Sequence, residues 1–139
     1  MARITQTYST GLRFIANVDS MDALAGGATV NIPAFTDAKF GVAGQRLIPA
    51  GTAVKLDPVT GFAIPADATG PAFLMASDVV ENAFFLRGSD GTTGLYAGGI
   101  VYENELIDAV ANVLPAPIKA ALGPKFTFQN SPGAIVYIP

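Results

Sequence analysis

The chain has 139 residues, half of them apolar and only 14% charged, against roughly 25% charged in ordinary soluble proteins. Its net charge is −3 and its pI about 4.6; the eight basic residues are scattered, which excludes the basic patch that nucleic-acid binding needs. Cysteine and histidine are both absent, which removes disulfides, thiolate catalysis, zinc–thiolate sites and the commonest general base and metal ligand.

This length is one ordinary domain with room for an attached arm. So high an apolar fraction exceeds what one compact monomer hides, and partner surfaces are expected. The N-terminus, MARITQTYSTGLRF, lacks an apolar core of signal-peptide length. The longest strongly apolar stretch, Ala72 to Ala76, falls far short of the ~20 residues that span a bilayer. A soluble, unprocessed chain with no membrane partner is the expectation.

Residues 1–17 are polar and Thr/Ser-rich, with Ile4, Tyr8, Leu12 and Phe14 at even positions. That alternation suits an extended strand with one apolar face. No hairpin partner follows it, so the segment is either tied into the body's own sheet or used as an arm that pairs elsewhere. We divide the chain accordingly into an N-terminal arm, 1–17, and a single body, 18–139. The next segment, SMDALAGGATVN, reads as a small-residue loop or short helical turn, with Ser20 as cap, Asp22 in the first turn and Gly26-Gly27 as its end. From Val30 to Lys39 the apolar residues Ile32 and Phe35 (then Phe40) are interrupted by Pro33, which predicts irregular chain or an edge strand.

A strand-and-turn body follows. Gln45 to Ile48 leads into the turn Pro49-Ala50-Gly51, and Thr52 to Leu56 is a strand. Asp57-Pro58-Val59-Thr60-Gly61 is a strong turn signal, since Asp bonds its own backbone and Pro pre-sets φ; Phe62 to Ile64 returns as the hairpin partner. Further strands are expected at 72–76, 83–87 and 94–102, the last two separated by the loop GSDGTTG. Spacing of this kind predicts a small sandwich or barrel. After Tyr102 the period changes: Glu103 and Glu105 suit a helix's first turn, and Leu106, Ile107, Val110, Val113 and Leu114 recur at helical spacing up to Pro115. Pro117 opens a second short helix, IKAAL, ended by Gly123-Pro124. Lys125 to Phe128 and Ala134 to Ile138 read as closing strands. The fold class is therefore mainly β (a β-rich α+β body, sandwich- or barrel-like), with one or two short C-terminal helices.

Little in this order can do chemistry. Ser9, Ser20, Ser77, Ser89 and Ser131 stand in no GxSxG elbow and in no SxxK spacing with Lys39, Lys55, Lys119 or Lys125. The pairs Asp78/Glu81 and Glu103/Glu105 could act together as in glycosidases, but turn capping and helix-start charge explain them more simply. Asp90 in GSDGTTG lacks the acidic ladder of an EF-hand and the GK[ST] of a P-loop, and reads as surface loop. Phe84 and Phe85 adjoin, so in a strand they point to opposite faces, one to the core and one to a partner. No catalytic residue, metal or cofactor is expected, and the chain reads as a non-enzyme.

Taken in order, IPAGTAVKLDPVTGFAIP, an apolar strand ending in SDVV, LYAGGIVYENELIDA, an Ala-rich helix and a last strand resemble the lambda-type phage head decoration, or capsid cement, proteins. The matching positions are Pro49 to Thr52, Phe73 to Val79 and Gly98 to Glu103, and the likeness covers roughly residues 45–128. The section before it is longer than the family's usual arm, and Ser131 to Pro139 extends past the family's end. The resemblance implies a homotrimer on the outer surface of an icosahedral phage head, bound to the major capsid protein. Its arm, with Ile4, Tyr8, Leu12 and Phe14 as apolar anchors, would order on binding, and the trimers would stabilise the head against internal genome pressure. The alternative is another virion module, such as a head-fibre base or tail component, with a small-ligand module or enzyme behind it.

Overall fold

The computed structural model describes residues 13–69, 71–81 and 90–130, and over these the chain is mainly β, as its turn-punctuated sequence predicts. Its strands are β1 (Asp22–Asn31), β2 (Leu47–Ile48), β3 (Ala53–Leu56), β4 (Ala63–Pro65), β5 (Phe73–Met75), β6 (Val79–Val80), β7 (Asp90–Tyr102) and β8 (Phe126–Gln129), with one short helix, α1 (Ala116–Leu122). The main sheet runs β1-β4-β3-β5-β7 and closes on itself where β7 pairs with β1. Only one residue pair, Val30 with Ala63, joins β1 to β4. A barrel-like ring results, with β8 added in parallel along the end of β7, while β2 and β6 form a separate small ladder.

The β3–β4 hairpin is built locally. Asp57 Oδ1 accepts from Val59 N at 2.8 Å, and Gly61, at φ +78, donates to the Asp57 carbonyl at 2.7 Å. Short apolar runs become strands because both of their faces are covered. Ala53 and Leu74 join one core with Phe14, Val101, Leu114, Leu122 and Phe126. Their chain neighbours Val54 and Met75 join a second core with Val30, Ile32, Phe35, Phe40 and Ile48. Two cores in so small a chain account for much of its apolar content.

Five sequence-based expectations need correction. Residues 22–31 are neither loop nor helical turn; after a single 3-10 turn, Val18–Ser20, they form the ten-residue β1. Gly26 and Gly27 do not end a helix. They form a bulge between the pairs Leu24–Leu95 and Ala28–Thr93, and Gly27, at φ +60, leaves only 2.5 Å between an added Cβ and the Thr93 carbonyl oxygen. Ser20 is no cap; Asn17 caps the 3-10 turn, and the Ser20 hydroxyl accepts from Ile100 N at 2.9 Å. Asp90 to Thr93, expected as loop, are the start of β7, because pairing with Ala28 to Asn31 continues the ladder.

The fifth correction concerns 103–114. Glu103–Glu105 is a 3-10 turn, and no helix follows it until α1. The Glu103 carboxylate accepts from Leu114 N at 2.8 Å, a closure that a helix would forbid by setting those residues about 16 Å apart along its axis. The chain turns back through a two-residue hairpin in which Val110 and Val113 exchange both backbone hydrogen bonds. Ala111 (φ +54) and Asn112 (φ +71) occupy its centre, the left-handed pair that such turns require. Alanine is strained there. Ala111→Asn is therefore expected to stabilise the protein by about 0.5–1 kcal/mol, read as a rise of a few degrees in melting temperature; an unchanged or lower value would contradict this turn geometry.

Candidate functional site

The sequence-predicted arm reaches the described residues only at its base. Ile4, Tyr8 and Leu12 lie outside the described residues, as do Phe84, Phe85 and the expected strands at 83–87 and 134–138. Phe14 is described, and its side chain is fully buried. Its ring meets Tyr96 edge-on at 6.3 Å between centroids and lies over Gly51, where an added Cβ would fall 2.9 Å from it. The Phe14 carbonyl accepts from Tyr102 N at 2.7 Å, Ala16 N donates to the Ile100 carbonyl at 3.0 Å, and Ile15 pairs with Val101. Of the two uses the sequence left open, residues 14–16 take the first: they are tied into the body's own sheet. Phe14 fills the chain's own core, and in this conformation its ring is unavailable to a partner. Arg13, mostly exposed, reaches Glu105 at 3.6 Å.

The carboxylates that could have worked in pairs are each committed elsewhere. Asp78 accepts from Ala50 N at 2.8 Å. Glu81 accepts from the amides of Gly44 (2.9 Å) and Arg46 (3.2 Å) and pairs with the Arg46 guanidinium at 3.3 Å. Glu103 holds Leu114 N and, at 3.1 Å, the Lys119 ammonium. Sequence reasoning missed Asp108, which sits inside the apolar run 106–114. One of its oxygens accepts from Ala53 N at 2.8 Å and the other from Lys39 Nζ at 2.6 Å. A carboxylate in each case accepts from a backbone N–H group, a partner that a buried donor requires.

Several of the described hydroxyls are also engaged. Ser77 Oγ shares a hydrogen bond with Thr93 Oγ1 at 3.0 Å, and Ser20 Oγ donates to the Asn17 carbonyl at 2.6 Å. Lys55 bonds both oxygens of Asp67 and the Thr69 hydroxyl. The Lys55 ammonium first, then the Thr69 hydroxyl and amide, hold the exposed Asp67 carboxyl well below the usual carboxylate range. Among the described residues no cluster of metal-ligating side chains occurs, and no helix is long and apolar enough to cross a membrane.

What the surface offers instead is contact area. An open groove of about 680 Å³ is lined by Phe40, Leu47, Pro49, Val80 and Ile107, together with Lys39 and Arg46. Val80, Val42, Val110 and Val113 are exposed, the last two on the 110–113 hairpin. Aliphatic side chains of this kind bind by shape and desolvation rather than by reaction. Comparison with protein-family models, with curated proteins and with solved structures returns no match.

Proposed function

We propose that the chain is a phage capsid decoration, or cement, protein. It binds the major capsid protein on the outer surface of the icosahedral head as a homotrimer and stabilises the head against internal genome pressure. Residues 1–12 form the binding arm, with Ile4, Tyr8 and Leu12 as its apolar anchors, and Phe14 fastens that arm to the body. No catalytic step, metal or cofactor enters this reading.

The observation that supports it most is the junction at Arg13 and Phe14. The last anchor of the alternating series, Phe14, is a core residue whose carbonyl is bonded to β7, which suits a clamp better than a free tail. Ordering ten arm residues costs on the order of 10–20 kcal/mol, while each net hydrogen bond returns about 1 kcal/mol. Alternate apolar anchors must supply much of the difference, and three arms on one trimer add avidity without any new type of contact.

The test is co-sedimentation with undecorated, expanded phage heads. The intact chain is compared with a version lacking residues 2–12, a deletion that stops short of Phe14 so that the core stays whole. The intact protein is expected to pellet with heads, and the shortened one to lose at least tenfold in apparent affinity. Unchanged binding after the deletion would remove the arm from the reading. An intact trimer that ignores heads would point to another virion module.

A further inference from the structure

We infer that the segment Phe14–Ala16 is a mechanical root, which delivers tension on residues 1–12 directly to β7 rather than to a slack linker. The purpose of such a root rests on the arm reading above; its existence does not. Three contacts place it. The Phe14 ring is enclosed between Gly51 and Tyr96 within the core. Backbone hydrogen bonds tie both sides of Ile15 to β7, from Tyr102 N to the Phe14 carbonyl and from Ala16 N to the Ile100 carbonyl. Just after it, Ser20 Oγ accepts from Ile100 N, so the turn between the root and β1 is pinned to the same strand.

The position along β7 matters as much as the contacts. Ile15 and β1 lie on one edge of β7 and both run antiparallel to it, from Val101 back to Asp90. The other edge carries β5 and then β8. A pull arriving at Phe14 therefore meets the strand to which three other strands are bonded, and cannot advance until the ring leaves the core. Glycine at position 51 is what admits the ring, since any Cβ there would press on it.

Force spectroscopy on the full chain tests this. The chain has no cysteine, so Val59→Cys at the exposed tip of the β3–β4 turn gives a unique handle, and the second is placed at the N-terminus. If the root holds, the main unfolding step includes the chain from Phe14 onward. If it is slack, chain up to Asp22 extends first and the main step is shorter by eight residues, about 29 Å of contour. The longer step is expected in the intact protein and the shorter one, at lower force, in a Phe14→Ala variant that still folds. A short step in the intact protein overturns the root whatever the variant does. Head sedimentation is a separate readout, so a root that holds in a protein that ignores heads would discard the cement reading and leave the root standing.

Discussion

Phe14→Ala is expected to destabilise the body by about 3–5 kcal/mol, the range for emptying a buried aromatic site. The side chain is wholly enclosed, and its neighbours cannot easily collapse into the space. Gly51 has no side chain to move, and Ala50, Ala53 and Ala72 of the same core are short. Urea denaturation followed by circular dichroism measures the change. A loss below about 1 kcal/mol, which is what exposed substitutions produce, would mean that Phe14 is not seated in the core in solution.

The second large effect is expected at Asp108. Its carboxylate is mostly buried and joins two distant segments, accepting from Ala53 N and from the Lys39 ammonium. Asp108→Ala leaves the amide of Ala53, itself 3% exposed, without an acceptor at the first residue of β3. An unsatisfied buried N–H costs about 1–3 kcal/mol, and the Lys39 contact adds little because that side chain is a third exposed. A total of about 2–3 kcal/mol is expected by the same denaturation measurement. Asp108→Asn keeps an oxygen for Ala53 N and should recover about half of it. Equal losses in both variants would assign the effect to charge rather than to the amide. A loss in neither would show that the 106–114 segment rearranges freely.

Both residues mark the boundary of what could be read without the fold. Turn chemistry was legible wherever it is local. Asp57, Pro58 and Gly61 carry the means of reversing the chain within five residues, and the flanking apolar runs then pair. The helix 116–122 was equally readable, since Pro117 and Gly123 bracket it. Phe14 was singled out for its alternation with Ile4, Tyr8 and Leu12, but periodicity is blind to which surface covers an apolar face. That surface includes Gly51 and Tyr96, far away in sequence.

The two largest misreadings share one cause. In β1, ALAGGA has weak strand propensity, and the ten-residue strand exists because β7 provides a continuous partner and Gly27 allows the close approach to Thr93. In 103–114, helical spacing is real, yet the carboxylates of Glu103 and Asp108 bind backbone amides of Leu114 and Ala53 and hold the chain in turns. Propensity is worth only tenths of a kcal/mol per residue, so a few buried charge-assisted hydrogen bonds outweigh it.

The sequence by itself determined the β-rich class, the hairpin built on Asp57 to Gly61, the short helix before Gly123 and the lack of histidine and cysteine chemistry, because each depends on residue identity or on contacts within a few positions. Only the tertiary structure decided that the sheet closes through β1 and β7, that chain neighbours on β3 and on β5 face two different cores, and that residues 14–16 are tied to β7. Those features depend on pairings between residues far apart in the chain, such as Phe14 with Tyr102 and Ser20 with Ile100, and no local pattern encodes which distant surface will be there to meet them.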